Sequence, residues 1–170
     1  MFYLYCPRCG SAYAEQTSDE AFFCSACNFA LFRNSKPTAS ILLIHNGKVL
    51  LGKRGHEPQK GVWDVIGGFL NLGEHPEDGA KREAREETGY DIEIESLLGM
   101  FMDTYDYERT GDVTLNICYI ASISAGEPKP GDDIAELGWF NSNELPQPIA
   151  FKNGQDMLDA WVKKIQASKK

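Results

Sequence analysis

The run Gly68-Phe69-Leu70-Asn71-Leu72-Gly73-Glu74-His75-Pro76-Glu77-Asp78-Gly79-Ala80-Lys81-Arg82-Glu83-Ala84-Arg85-Glu86-Glu87-Thr88-Gly89-Tyr90 reads as a glycine-bearing loop that opens into one helix. Pro76 suits the first helical position, where a missing amide hydrogen costs nothing, and Glu77 and Asp78 complement the positive end of the helix dipole. Gly89 supplies the left-handed residue that ends the helix. Between these ends, Glu83, Glu86 and Glu87 are spaced i, i+3 and i+4, which predicts three carboxylates on one face within about one turn. Like charges so placed repel by roughly 0.2–0.5 kcal/mol per pair even on an exposed helix. A hard cation turns that repulsion into attraction. Magnesium takes oxygen ligands and shares its octahedral shell with waters and substrate phosphates, which matches a small open carboxylate cluster. Taken as charge pattern only, a solvated surface helix is the simpler reading, because Glu77–Lys81, Asp78–Arg82 and Arg82–Glu86 are favourable i, i+4 pairs. The loop in front shifts the balance. Gly67, Gly68 and Gly73 let backbone approach a ligand closely, and amides near a helix start suit anions.

These residues resemble the signature of the Nudix hydrolases: Gly, five residues, Glu, seven residues, then Arg-Glu-aliphatic-any-Glu-Glu-any-Gly-aliphatic. Gly68, Glu74, Arg82, Glu83, Ala84, Glu86, Glu87 and Gly89 fall on it without insertion. Tyr90 takes the final aliphatic place, Ile66 stands where many members have proline, and Gly79 within the helix costs roughly 0.5–1 kcal/mol against alanine. None of these departures removes a carboxylate. The resemblance covers about residues 37 to 165. It implies an α/β Nudix fold, a mixed β-sheet sandwiched between helices. It also implies attack of water on a phosphorus of a pyrophosphate linkage. Glu83, Glu86 and Glu87 would hold Mg2+ (or Mn2+) with help from the Gly67 carbonyl, Arg82 would orient them, and Glu74 would support them from the loop beside Gly68. The general base would be a glutamate of the run or an acid from a later loop, where Asp132, Asp133 and Glu136 are candidates. Those three read equally as a solvated acidic turn after Pro130-Gly131.

A second constellation lies at the N-terminus. Cys6-Pro7-Arg8-Cys9-Gly10 and Cys24-Ser25-Ala26-Cys27-Asn28 are two matched C-x2-C pairs separated by fourteen residues. Four thiolates suit tetrahedral zinc, so a structural Zn2+ in a small ribbon is expected. A disulfide reading needs an oxidising compartment, yet Met1-Phe2-Tyr3-Leu4 leads into the first pair without a signal peptide, pointing to the cytoplasm. Cys118, alone in an apolar stretch, reads as core.

The remaining chain is expected to divide into a ribbon, 1–36, and a hydrolase domain, 37–170. Strands are predicted at 38–45 and 48–54 around Asn46-Gly47, a type I′ hairpin signal. Val62 to Ile66 is predicted to be a strand leading into the glycine loop, with further strands at 91–104, 112–123 and 135–140. A last helix over 153–166 sets Met157, Leu158, Trp161, Val162 and Ile165 on one face. The net charge of −8 argues against a broad nucleic-acid-binding surface or an anionic membrane as partner. No apolar run reaches the roughly 18 residues of a membrane span.

Ribbon followed by box resembles two subfamilies, the NADH pyrophosphatases and the ADP-ribose/FAD pyrophosphatases. The Ser-Gln-Pro-Trp-Pro-Phe-Pro stretch typical of the NADH branch is replaced here by Gly99-Met100-Phe101-Met102-Asp103-Thr104-Tyr105-Asp106-Tyr107. The expected substrate is therefore a nucleoside diphosphate derivative, with ADP-ribose or FAD ahead of NADH. Trp63, Phe101, Tyr105 or Tyr107 are aromatic candidates for stacking on its base, against a packing role for each. A non-catalytic reader of a nucleotide or RNA with a Nudix-like domain is the alternative. Removal of a nucleotide cap from RNA is the same chemistry on a larger substrate. Dimers are common in the family, which leaves a homodimer open by analogy.

Overall fold

The computed structural model describes residues 5–12, 15–18, 21–105 and 112–168. Met1 to Leu4 and Tyr107, which carried two of the readings above, lie outside them. The chain forms two compact units, Met1–Lys36 with Thr104–Val113, and Pro37–Asp103 with Thr114–Lys170.

In the first unit, β1 (Glu15–Ser18), β2 (Ala21–Cys24) and β3 (Phe29–Phe32) form an antiparallel three-stranded sheet. The two cysteine pairs fold alike. The Gly10 amide donates to the Cys6 carbonyl at 2.9 Å, and the Asn28 amide donates to the Cys24 carbonyl at 2.8 Å. Gly10 and Asn28 both take positive φ, the conformation that glycine and asparagine tolerate best.

The second unit is built on a seven-stranded sheet. Its strands are β4 (Lys36–His45), β5 (Lys48–Arg54), β6 (Trp63–Asp64), β7 (Ile66–Phe69), β8 (Tyr90–Tyr105), β9 (Asp112–Gly126) and β10 (Ile134–Asn141). The main path runs β10-β5-β4-β9-β8, with β6 beside β5 and β7 beside β4. Asn46 (φ 51°) and Gly47 (φ 75°) both take the left-handed conformation that a type I′ turn requires. They set the register Ile44↔Val49.

Strand alternation sends neighbouring side chains to opposite faces. Ala39, Ile41, Leu43, Leu50, Tyr119 and Ala121 pack with Ala80 and Ala84 of helix α1 (Pro76–Thr88). On the other face Leu42, Val49, Leu51, Cys118 and Ile120 pack with Met157, Leu158 and Trp161 of helix α2 (Lys152–Ala167). Two cores on the two faces of one sheet make the expected sandwich. Tyr90, at the place usually aliphatic, is buried in the first core, and Cys118 is fully buried in the second.

One expectation is corrected. The stretch 62–66 is not a single strand ending at a glycine loop. It breaks at Val65, and Gly67 and Gly68 are themselves strand residues of β7, opposite Ser40 and Ala39 of β4. A Cβ on Gly67 would lie 2.3 Å from the Ala39 carbonyl oxygen, so only glycine permits this pairing. At Gly79 the close neighbour is a side-chain end instead of backbone: a Cβ there would meet Leu70 Cδ2 at 2.3 Å. The helix accepts a poor former to seat the loop in front of it.

Candidate active site

Helix α1 turns Ala80 and Ala84 toward the sheet and Glu83 and Glu87 toward β7. Pro76 is at its start, His75 caps it through the Glu77 amide, and Gly89 ends it at φ 76°. Glu83 is 7% and Glu87 6% exposed, unusual for glutamates, which are rarely buried without a partner. Each answers to one glycine of β7. Glu87 Oε2 accepts the Gly67 amide hydrogen at 2.9 Å. The Glu83 carboxylate lies over Gly68, where a Cβ would be 2.5 Å from Oε1.

Arg82 joins the loop to the helix. Its Nε and Nη2 donate to the two oxygens of Glu74 at 2.8 and 2.9 Å, a bidentate pair, and Nη2 also donates to the Phe69 carbonyl at 3.1 Å. Nη1 donates to Glu83 Oε1 at 2.7 Å and Glu86 Oε2 at 2.9 Å. One planar guanidinium thus serves three carboxylates, a geometry the lysine ammonium cannot copy.

The electrostatics follow from this wiring. Arg82 and the Asn71 amide hold Glu74 down to about 2. Burial pushes Glu87 up to about 8, and the charges of Glu83, Asp64 and Asp132 add to the effect, although the Gly67 hydrogen bond opposes it. Burial raises Glu83 as well, against the pull of Arg82.

The expected grouping of Glu83, Glu86 and Glu87 is met in part. Glu83 and Glu87 are buried together, whereas the Glu86 side chain is 49% exposed and leans on Arg82. Among the described residues, the set of Cys, His, Asp and Glu ligand atoms lying mutually within 4.8 Å is Cys6, Cys9, Cys24 and Cys27. The Arg82 guanidinium lies between Glu83 and Glu86 and donates to both.

Of the later acids, Asp132 reaches the cluster, its charge raising both Glu83 and Glu87. The Gly131 amide donates to the Glu87 carbonyl at 3.1 Å and the Lys129 amide to the Thr88 carbonyl at 2.9 Å, so this loop is fastened to the end of α1. Asp133 instead lies 3.9 Å from Arg54, and Glu136 pairs with Lys53 at 3.1 Å. Of the aromatic candidates for stacking, Trp63 and Phe101 are engaged in packing. Trp63 meets Phe140 edge-on at 4.9 Å with Lys53 over its ring, and Phe101 packs against the second core. Tyr105 is half-buried at the end of β8.

Asp64 was not among the residues singled out from sequence. It is 7% exposed on β6, accepts the Val65 amide hydrogen at 2.9 Å, and is pushed up to about 7 by burial. An aspartate in the otherwise apolar stretch Val62 to Ile66 was the available signal.

In the first unit, Cys6 Sγ lies 3.8 Å from Cys27 Sγ, and Cys9 Sγ 3.7 Å from Cys24 Sγ. All four cysteines are free thiols. A tetrahedron with metal–sulfur bonds of about 2.3 Å has sulfur–sulfur edges of about 3.8 Å, so the four sulfurs are placed to hold a metal ion. Among the described residues no helix is long and apolar enough to cross a membrane.

The chain is 38% identical over 114 residues to an ADP-ribose pyrophosphatase of Methanocaldococcus jannaschii, covering 67% of this chain and 66% of that protein. It is 27% identical over 160 residues to the NAD-capped RNA hydrolase NudC of Pseudomonas fluorescens, covering 93% of this chain. The chain spans 55% of that relative's length. A solved NUDIX hydrolase from Nitrosomonas europaea shares the fold, with a TM-score of 0.81 at 24% identity over 97% of this chain and 93% of that one. A family model, the NUDIX domain, matches residues 34–162, from just before β4 into α2, and the chain belongs to that family.

Proposed function

We propose that this protein hydrolyses the pyrophosphate linkage of a nucleoside diphosphate derivative with the help of Mg2+ or Mn2+. The observation that carries the reading is the packing of Glu83 and Glu87 onto the Gly67–Gly68 strand, with Arg82 and Glu74 beside them. Glu74, Glu83 and Glu86 share one guanidinium, and the charges of Glu83 and Asp132 bear on Glu87, a surplus of hard oxygen donors that suits a divalent cation. Glu83, Glu86 and Glu87 would hold it, with the Gly67 carbonyl. A bound divalent ion neutralises phosphate oxygens and acidifies a bound water. Arg82 fixes the rotamers of Glu83 and Glu86, and Glu74 fixes Arg82. Asp132, fastened to α1 through Gly131, is the candidate to take the proton of the attacking water.

ADP-ribose is the favoured substrate, supported by the relative from M. jannaschii. A second reading, hydrolysis at an NAD cap of RNA, is favoured by the NudC match, which takes in 93% of this chain rather than 67%. The cysteine cluster would hold Zn2+ as a structural ion of a ribbon over residues 1–36, preceding a hydrolase domain over 37–170. The cytoplasm is the compartment that suits four free thiols.

The test is turnover of ADP-ribose, FAD, NADH and NAD-capped RNA with purified protein and Mg2+ or Mn2+. Hydrolysis of ADP-ribose is expected, and Glu86→Gln should lower kcat/KM by about 100-fold or more, the scale of losing one preorganised electrostatic contact. Turnover of none of the four, with ligand affinity unaffected by Glu86→Gln, identifies a non-catalytic reader instead.

A further inference from the structure

Arg82 stands between two of the carboxylates proposed to hold the cation. Its Nη1 lies within hydrogen-bond distance of Glu83 Oε1 and Glu86 Oε2 at once, 2.7 and 2.9 Å. The other edge of the guanidinium is anchored separately, by both Glu74 oxygens and the Phe69 carbonyl. The side chain of Arg82 is 26% exposed and that of Glu83 9%, so the Glu83 contact is partly shielded from water, whereas the Glu86 side chain is 49% exposed.

We infer that Arg82 is the site's internal counter-ion, whose Nη1 neutralises Glu83 and Glu86 in the metal-free protein and is displaced from them when a divalent cation binds, while its Glu74 edge stays fixed. The inference rests on the function proposed above. It follows from geometry and charge together. An oxygen that accepts from Nη1 at 2.7 Å cannot present the same lone pair to a metal, so a cation that takes Glu83 Oε1 and Glu86 Oε2 must displace the guanidinium from both. Glu74 prevents the released guanidinium from leaving the site. Arg82 is therefore a positioning residue with two settings. It suppresses carboxylate repulsion before the metal arrives, and holds the loop once the metal has taken over the charge.

The test uses the full chain without substrate. Mg2+ is titrated while the guanidinium 15N–1H resonances are followed, with Arg82→Lys supplying the assignment. The Nη1 signals are expected to shift and broaden on saturation, and the Nε signal, bonded to Glu74, to stay in place. In parallel, Mn2+ affinity is measured at fixed ionic strength. Arg82→Gln removes the competitor and should tighten binding about tenfold, the scale of two partly exposed ion pairs. Glu74→Gln leaves the whole guanidinium charge to Glu83 and Glu86 and should weaken it. Unchanged Nη1 signals at Mg2+ saturation overturn the inference, as does Mn2+ binding to Arg82→Gln that is equal or weaker. If Arg82→Gln does not fold, the wild-type titration and Glu74→Gln decide; unchanged or tighter binding by Glu74→Gln overturns the inference. Wild-type protein that binds neither ion overturns the metal-dependent function itself.

Discussion

Replacing Asp64 with asparagine should make the stability of the larger unit less dependent on pH. Asp64 is almost wholly enclosed, and burial raises its carboxyl from the ordinary 3.8 to about 7. Arg54 pulls it down and Asp103 pushes it up, neither enough to change the direction. A raised folded-state value means the folded protein binds the proton more tightly than the unfolded chain. Its contribution to stability is complete below about pH 4, declines as the unfolded form ionises, and is lost once pH passes about 7. At roughly 1.4 kcal/mol per pH unit between the two values, the loss is about 4 kcal/mol. Asparagine keeps an oxygen to accept from the Val65 amide but never ionises, so Asp64→Asn should gain on wild type by about this amount between pH 4 and pH 7.5. The assay is urea unfolding followed by tryptophan fluorescence. Trp63, Trp139 and Trp161 are the chain's three tryptophans, and all lie in the larger unit. Glu87 titrates in the same interval and will tilt both curves, so the reading is their difference. Parallel curves for wild type and variant across pH 4–8 would refute a raised Asp64.

The two glycines of β7 should respond differently to alanine. Gly67→Ala meets backbone at 2.3 Å from a φ of 147° and should cost about 3 kcal/mol or more in the same unfolding assay. Gly68→Ala meets the Glu83 carboxylate rather than backbone as its nearest neighbour, so it should stay folded while hydrolysis falls; loss of folding there would count against the site's geometry. Asp132→Asn should lower kcat by about 100-fold or more, the contribution of a general base, and Asp133→Asn should not. Equal effects in steady-state kinetics would remove Asp132 from that role. Strong chelation should loosen the residue 1–36 region while tryptophan fluorescence of the larger unit is retained, because thiolate–metal bonds supply folding energy where they occur. Elemental analysis showing no zinc in fresh protein would end that expectation.

Much of the frame was legible because it depends on local chemistry. Pro76 and Gly89 delimit α1 through backbone properties of those residue types alone. Asn46-Gly47 encodes its turn through tolerance of positive φ. The cysteine pairs announce a metal-sized cluster through spacing and repetition. The site was legible only as a list of residues. Helical spacing put Glu83, Glu86 and Glu87 near one another, but how each is satisfied depends on partners far along the chain. Glu87 is held by Gly67 at a separation of 20 residues. Asp132 and its neighbour Asp133 have different surroundings because Gly131 is fastened to the end of α1 while the Asp133 carbonyl accepts from the Gly55 amide.

By itself the sequence determined the identity of the acidic helix, its ends, the ribbon cysteines and the family, since each is written in residues close together and constrained by short-range geometry. Tertiary structure alone decided that Gly67 and Gly68 form a strand, that Asp64 is enclosed, and that Arg82 stands between Glu83 and Glu86. Burial and long-range pairing set those outcomes, and they exist only once the sheet has closed against α1 and α2.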